Sequence, residues 1–261
     1  MRGEHERLDL ERADAYGRSF GDVYDRWYGG VTDAGATAQF VAERHPGGAV
    51  LELGVGTGRL AGPMADRGLT VVGLDASPVM LARCRRAGTS GLGSVLRVQA
   101  DMRALPFACE PRAGRVGTVL VAFNTLFNLT TESDQRSLLH HLAALVGTRG
   151  SIVVEALDVT PLLDGPARSI GIRERSTDPL VVTATQLDRT SQRVTGQHVE
   201  IGGDGVTLRP WVLRWVTPAQ LDELARGAGL VLAERWGSWS GDPFTEGIGS
   251  HISLYRATDT A

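Results

Sequence analysis

The sequence of 261 residues is poor in cysteine, in excess positive charge and in long hydrophobic segments. Its two cysteines, Cys84 and Cys109, lack the spacing of a disulfide framework, a redox motif or a metal site. Lysine and arginine number 27 against 30 acidic residues, which argues against a nucleic-acid partner or an anionic membrane surface. No hydrophobic segment approaches the roughly 20 residues that cross a bilayer, and the charged N-terminus is unlike a signal peptide. We therefore expect a cytoplasmic protein that binds no metal ion.

Short hydrophobic segments alternate with helical ones between residues 49 and 157. The segments "AVLEL", "TVVGL" and "GSIVVEAL" are almost wholly apolar, which is typical of parallel strands that are buried on both faces. A helix that begins at Pro218 and two further strands follow near the C-terminus. This order predicts an α/β fold with a central sheet between layers of helices.

Two regions differ from this alternation. Residues 1–48 carry helix-like spacing of aromatic and aliphatic side chains, which predicts a helical cap. Residues 158–216 alternate polar and apolar side chains between turn signals, which predicts an antiparallel β insertion of three or four strands. We therefore divide the chain into the cap, a main domain formed by residues 49–157 and 217–261, and the insertion at residues 158–216.

A glycine-rich turn separates the first strand from the first helix of the main domain. Glycines there permit a tight turn and a close approach of the backbone to a ligand, next to the free N–H groups of a helix. The three glycines of this turn are Gly54, Gly56 and Gly58. The dinucleotide fingerprint requires a third glycine where this chain has Arg59, so the match to that fingerprint fails.

Two acidic residues indicate which ligand the turn would accept. Glu52 comes just before the turn, where its carboxylate would repel a diphosphate and would suit a cationic ligand group. Asp75 ends the second strand, where a carboxylate can accept hydrogen bonds from both hydroxyls of a ribose. A nucleoside with a cationic substituent fits both positions.

The order of these motifs resembles that of the class I S-adenosylmethionine-dependent methyltransferases. "VLELGVGTGRL" resembles their first motif, "VVGLDAS" the second, "VQADMRALPF" the adenine-contacting segment and "VLVAFNTLFNL" the fourth strand with its active-site loop. The opening "DVYDRWY" and the β-rich insertion are similar, more narrowly, to actinobacterial aminosugar N-methyltransferases of natural-product pathways. The resemblance implies a Rossmann-like sheet of seven strands, of which the last is antiparallel.

The resemblance also implies the cofactor and its contacts. S-adenosylmethionine would be the methyl donor, and S-adenosylhomocysteine would be its product. Asp75 would hold the ribose, and Asp101 would accept a hydrogen bond from the adenine amino group. The full set of expected contacts is Glu52, Gly54, Gly56, Gly58, Asp75, Ala76, Asp101, Met102 and Asn124.

Three further residues are candidates for contact with the methyl acceptor. Tyr24 lies in the predicted cap, where its hydroxyl could reach the sulfonium or the acceptor, but it could equally belong to an aromatic core. Asn128 stands where the aminosugar enzymes tend to have histidine, and asparagine can orient a substrate but cannot take its proton. His251 opens the last strand beside a polar loop and could act as a base or be structural.

The expected reaction is methyl transfer to a nitrogen or oxygen of a small-molecule acceptor in secondary metabolism, driven mainly by positioning and exclusion of water. The alternatives are an NAD(P)-dependent oxidoreductase and a noncatalytic module that binds S-adenosylmethionine. The insertion would either cover the acceptor or pair with a second copy of the chain in a homodimer.

Overall fold

The computed structural model describes residues 9–84, 90–107, 116–175, 179–247 and 249–258. A sheet of seven strands forms the centre, in the order β10-β11-β5-β4-β1-β2-β3. All neighbouring strands are parallel except β11, which runs antiparallel to both β5 and β10, as the sequence predicted. The strands are β1 (Ala49–Leu53), β2 (Thr70–Asp75), β3 (Ser94–Gln99), β4 (Val116–Val121), β5 (Ser151–Leu157), β10 (Leu230–Trp236) and β11 (Ser250–Ala257).

A second sheet of four antiparallel strands lies between β5 and β10 in the sequence. Its order is β6-β7-β8-β9, so that each strand pairs with the next one along the chain. The strands are β6 (Arg168–Arg175), β7 (Leu180–Asp188), β8 (Arg193–Gly202) and β9 (Gly205–Arg214). The predicted antiparallel insertion is confirmed with four strands, while the exact domain boundaries at residues 157 and 217 stay a prediction.

Eight α-helices accompany the sheets in the described parts of the chain. They are α1 (Ala15–Phe20), α2 (Tyr24–Tyr28), α3 (Ala34–Arg44), α4 (Ala61–Asp66), α5 (Pro78–Arg83), α6 (Glu132–Val146), α7 (Thr160–Leu163) and α8 (Pro218–Gly227). The sequence signals for two helix starts are confirmed. Ser77 caps α5 by accepting from the backbone N–H of Met80, and Thr217 forms a capping box with Gln220 at α8.

Two hydrophobic clusters cover the two faces of the main sheet. Leu51 and Leu53 of β1 join one cluster, whereas Val50, directly before Leu51, joins the other, because successive side chains of a strand point to opposite faces. A third cluster joins α1 and α2 to Val181 of the second sheet. The cap and the insertion therefore pack against each other above the main sheet.

Three further expectations concern the cysteines, metal binding and membrane-spanning segments. Cys84 is buried, and burial raises the pKa of its thiol to about 11, while Cys109 lies outside the described residues. Within the described ranges, no three potential metal ligands lie together. No helix among those described has the length and hydrophobicity to span a membrane.

Candidate active site

One cavity of about 580 Å³ lies at the carboxyl ends of the central strands, within the size range of ligand pockets. Its floor is formed by the turns that follow β1, β2 and β4, and its walls come from α1 and α2. Strands β6 to β9 contribute the opposite side, including Arg173, Thr183, His198 and Trp211. The fold thus brings segments from the whole length of the chain to one space.

The glycine turn needs backbone angles that other residues avoid. Gly54, Gly56 and Gly58 all have positive φ angles, of 68°, 56° and 83°. A Cβ atom on Gly54 would lie 2.8 Å from the side chain of Thr125, so the turn also packs tightly against the loop after β4. Gly54 and Gly56 line the cavity, whereas Gly58 does not and instead closes the turn by donating to the Val55 carbonyl.

Asp75 holds the glycine turn and the start of α5 together. Its Oδ2 accepts a hydrogen bond from the Gly56 N–H at 2.9 Å, and its Oδ1 accepts from the Ser77 N–H at 2.8 Å. Burial raises the pKa of the Asp75 carboxyl, and the two backbone hydrogen bonds oppose this rise. Each carboxylate oxygen can accept more than one hydrogen bond, so both remain able to bind the hydroxyls of a ribose.

Glu52 is a buried carboxylate with an unsatisfied oxygen. The residue is only 3% exposed, and its Oε2 atom has no hydrogen-bond partner. Burial raises the pKa of Glu52 to about 8, opposed by Arg59 and reinforced by Asp75. An unpaired buried carboxyl group is costly and gains most from a cationic ligand. This orphaned oxygen at the cavity fits the cationic methionine end of S-adenosylmethionine.

Asp101 lines the cavity but already has a cationic partner. Its Oδ1 accepts from the Arg103 backbone N–H at 2.9 Å, and its Oδ2 accepts from Arg103 Nε at 2.8 Å and pairs with Nη2 at 2.7 Å. Ala76 and Met102 line the cavity beside it, as expected for residues that flank an adenine. An adenine amino group would therefore share the Asp101 carboxylate with Arg103.

Asn124 orders the loop that follows β4. Its φ angle of 62° is left-handed, and its Oδ1 accepts from the Leu157 N–H at 2.7 Å. Glu155 supports the same loop by accepting from the Phe123 N–H at 2.7 Å and from Trp239 Nε1 at 2.8 Å. The carboxamide oxygen of Asn124 therefore binds the backbone of β5, and the residue also lines the cavity.

Two of the three acceptor-site candidates lie at this cavity. Tyr24 packs over the glycine turn, since a Cβ atom on Gly56 would lie 3.8 Å from its ring. Burial raises the pKa of Tyr24 to about 12, with Arg59 opposing the rise, so its hydroxyl is neutral at physiological pH. Asn128 also lines the cavity, and its Nδ2 donates to the Thr125 carbonyl at 3.3 Å.

His251 is not part of the cavity lining, which corrects the expectation that it could serve as a base there. It is 0% exposed within β11, where its Nδ1 pairs with Ser253 Oγ at 2.9 Å and its ring contacts Phe244. Burial lowers the pKa of His251 to about 4, reinforced by the charge of Arg235. A neutral histidine inside the sheet is a packing residue.

Several cavity residues were missed by the sequence analysis. Arg59, Arg173, Trp211, Tyr16 and His198 line the cavity. The sequence could have indicated Arg59 as a cavity residue, because it stands directly after the turn, where the dinucleotide fingerprint has its third glycine. The others lie in α1 or in the insertion, where alternation predicts strands but not which face meets the ligand.

Comparisons with known proteins identify the family to which the chain is similar. A family model described as a methyltransferase domain matches residues 50–150. The structure of the CcbJ methyltransferase from Streptomyces caelestis is 32% identical, with a TM-score of 0.85 and coverage of 94% of this chain and 98% of that one. The cypemycin N-terminal methyltransferase of a Streptomyces species is 28% identical over 233 residues, or 86% of this chain and 90% of that protein.

A third similarity concerns the fold alone. The structure of CalS10 with bound S-adenosylmethionine, an amino pentose methyltransferase of Micromonospora echinaspora, has a TM-score of 0.63 at 21% identity. It covers 89% of this chain and 96% of that chain. Given the near-complete coverage of the CcbJ methyltransferase at 32% identity, together with the motif order, the chain belongs to the class I S-adenosylmethionine-dependent methyltransferases and transfers a methyl group from that cofactor.

Proposed function

We propose that this enzyme methylates an amino nitrogen of a small natural-product intermediate. The cypemycin relative supports a nitrogen acceptor, since it is described as an N-terminal methyltransferase. Two observations disfavour the NAD(P)-dependent alternative. The chain belongs to a methyltransferase family, and its glycine turn lacks the third glycine of a dinucleotide site.

The main support for this proposal is that the cofactor side and the acceptor side belong to one continuous cavity. The cofactor side, with Glu52 and Asp75, is continuous with a wall of aromatic rings and with the second sheet. The rings that line it are Tyr16, Tyr24, Tyr28, Phe123 and Trp211. A small acceptor enclosed there is held beside the donor and shielded from water, which is the main requirement for displacement at an already activated methyl group.

The cavity lining supports a proposed set of cofactor contacts. S-adenosylmethionine supplies an activated methyl group on its sulfonium sulfur. We assign the ribose to Asp75, the adenine to the segment at Asp101 with Ala76 and Met102, and the cationic methionine end to Glu52. Gly54 and Gly56 allow the ligand to approach the backbone, and Asn124 orders the adjoining loop.

The chain's own groups favour positioning over general-base catalysis. An amine attacks only as the neutral species, and its excess proton must leave to solvent or to a nearby acceptor. The Tyr24 hydroxyl is neutral and can accept one N–H hydrogen bond, which would orient the nitrogen lone pair. Asn128 can add a second polar contact but cannot take a proton. We propose both as acceptor-positioning residues.

A two-step experiment tests this function. Calorimetry of the ligand-stripped enzyme with S-adenosylhomocysteine first measures the cofactor site. Mass spectrometry then compares methylation of 3-amino-3-deoxy-D-glucose and L-phenylalaninamide with that of glucose and N-acetyl-L-phenylalaninamide. Methylation of either amine and not of its matched control supports nitrogen transfer. Heat of binding without any product across these acceptors would instead favour the noncatalytic module, and product from the hydroxyl compound alone would favour oxygen.

The outer face of the second sheet supports a further proposal, a homodimer. Four large hydrophobic side chains on its strands remain strongly exposed, between 56% and 80%, in an arrangement that a monomer would normally cover. They are Ile170, Ile172, Val206 and Leu208. Ile172 pairs with Val182, Val182 with Val199, and Val199 with Leu208, so one row of apolar residues crosses all four strands.

Light scattering of the purified chain tests the homodimer. The wild-type protein should have twice the mass of the chain, and Leu208→Glu should produce monomers because it places a charge in a buried apolar interface. Leu96→Glu, on the exposed edge strand β3, is the matched control and should leave the mass unchanged. A wild-type monomer at micromolar concentration would contradict the proposal.

A further inference from the structure

We propose that Arg173 forms a subsite for an anionic group of the methyl acceptor, which makes the acceptor an amine that also carries a carboxylate. This inference rests on the proposed N-methyltransferase function and narrows its substrate class. It concerns the part of the cavity formed by β6 and α2, away from the glycine turn.

Arg173 differs in its partners from the other arginines that line the cavity. Arg12 pairs with Asp14, and Arg103 pairs with Asp101, at 3.0 and 2.7 Å. The charge of Arg59 acts on Glu52, and its guanidinium donates to Thr32. Among the described residues, Arg173 has no carboxylate within ion-pair distance, and its one hydrogen bond is a long contact of 3.4 Å to the Trp27 carbonyl. Most of its five N–H donors are therefore available to a ligand.

Two aromatic rings hold the Arg173 guanidinium in place. Its central carbon lies 4.7 Å from the ring centre of Tyr28 and 5.0 Å from that of Trp27. Stacking on aromatic faces orients the planar guanidinium while leaving its edge free for two parallel hydrogen bonds to a carboxylate. A preorganised fork of this kind recognises a planar carboxylate better than a point charge would.

Arg173 lies on the acceptor side of the cavity. Tyr24 packs over Gly56 of the cofactor turn, and Tyr28 stands next to Tyr24 at 5.1 Å between ring centres. Arg173 lies over this second ring, so Tyr28 separates it from the turn. The carboxylate of the methyl donor has Arg59 nearer to the turn as a cationic partner, which leaves Arg173 for the other substrate.

The neighbouring polar groups do not compete for the bound anion. His198 faces the same part of the cavity, and burial lowers its pKa to about 4, with Arg173 and Arg209 reinforcing the effect, so it is neutral. Its Nδ1 is paired with Thr183 Oγ1 at 2.7 Å. Arg209 is already paired with Asp22 and Glu200. Within the described part of the chain, Arg173 is thus the cation of this region that a substrate carboxylate can reach.

The test uses the enzyme saturated with S-adenosylhomocysteine, so that acceptor binding is measured without turnover. Calorimetry compares L-phenylalanine with L-phenylalaninamide, and L-phenylalanyl-L-phenylalanine with its C-terminal amide. The second pair places the carboxylate further from the amine. In each pair the amine is kept and only the negative charge is removed.

The wild-type complex should bind at least one carboxylate at least about tenfold more tightly than its amide, the range for a charge-assisted contact. Arg173→Gln should abolish this preference, Arg173→Lys should restore part of it, and affinity for S-adenosylhomocysteine should stay unchanged in both variants. Arg26→Gln is the matched control, because Arg26 also lies over Trp27, at 5.8 Å, but does not line the cavity. This control should keep the full preference.

Two results of the acceptor titrations would overturn the subsite. One is equal or undetectable binding of acid and amide by the wild-type complex, and the other is a preference that survives Arg173→Gln. If Arg173→Gln weakens S-adenosylhomocysteine binding instead, Arg173 serves the donor and the inference is also wrong. Failure of the proposed function has a different signature, since mass spectrometry would then detect no methylated amine, whether or not S-adenosylhomocysteine produces heat with the wild-type enzyme.

Discussion

The carboxylate of Asp75 accepts a hydrogen bond from the backbone N–H of Gly56 at 2.9 Å, which joins the end of β2 to the glycine turn after β1. The two residues are 19 positions apart in the sequence, yet one carboxylate both shapes the turn and faces the cavity. The backbone of the turn and the proposed ribose contact therefore depend on the same side chain.

Asp75→Asn should weaken S-adenosylhomocysteine binding by about 10–100-fold, because an amide nitrogen cannot accept a hydrogen bond and one charge-assisted contact is worth about 1.5–3 kcal/mol. Calorimetry measures the change. Asp222→Asn, which removes a carboxylate paired with Arg235 outside the cavity lining, is the control and should retain wild-type affinity. A loss below threefold in Asp75→Asn would argue against the ribose assignment.

Glu52→Gln should make the ligand-free enzyme relatively more stable as the pH rises. In the folded protein the pKa of Glu52 is about 8, above its ordinary value of 4.5, so only the unfolded chain ionises freely between these values. The protonated Glu52 of the wild type therefore does not lower the free energy of unfolding below pH 4.5, and this free energy falls as the pH rises from 4.5 to 8. The gain of the variant over the wild type should reach on the order of 3 kcal/mol.

Urea unfolding at pH 5, 6.5 and 8 measures this difference in the free energy of unfolding. Glu43→Gln, on the exposed surface of α3, serves as the comparison and should show a constant offset. A constant offset in Glu52→Gln as well would mean that Glu52 is ionised in the empty site.

Tyr24→Phe should lower kcat/KM for the acceptor by about tenfold, the effect of one lost hydrogen bond, while S-adenosylhomocysteine affinity changes little. Tyr28→Phe removes a neighbouring phenol at 5.1 Å and should leave kcat/KM within about twofold. Steady-state kinetics and calorimetry separate the two effects. Equal losses in both variants would indicate a packing role for Tyr24.

His251→Gln should keep kcat within about twofold and should change the response of stability to acid. The pKa of His251 in the folded protein is about 4, below its ordinary value of 6.5, so the unfolded chain takes up the proton first as the pH falls. The free energy of unfolding of the wild type therefore decreases between pH 6.5 and 4, and the substitution would remove roughly 2–3 kcal/mol of this decrease.

Unfolding of the wild type and of His251→Gln at pH 7 and at pH 4.5 measures the effect. The stability of the variant relative to the wild type should rise at the lower pH. A large fall in kcat with unchanged unfolding behaviour would restore His251 as a candidate base.

Local signals account for the parts of the fold that were predicted correctly. Ser77 with Pro78 and Thr217 with Pro218 mark helix starts, because a capping side chain and a proline at the first turn act within a few residues. The apolar strands predicted a parallel sheet, and a parallel sheet places its strand ends at one edge. This rule alone predicts that Asp75 and Asp101 lie at the same edge of the sheet, and both line one cavity in the structure.

Contacts between distant segments account for what was missed. Helix α2 is only five residues long, and its aromatic side chains pack against Val181 of the second sheet rather than along an isolated helix. The direction in which Arg173 and His198 face depends on strand register and on a register shift between Ile172 and Glu174, neither of which is encoded by alternation alone.

The sequence by itself determined the order of strands and helices and the glycine turn with its two carboxylates, because each depends on residue type and short-range spacing, and the resemblance of its motifs implied the class of cofactor. Only the tertiary structure decided that Glu52 has an unpartnered oxygen, that His251 is inside the sheet and that Arg173 faces the cavity without an acidic partner among the described residues. These properties depend on burial and on long-range neighbours, which arise when the cap and the insertion pack over the strand ends.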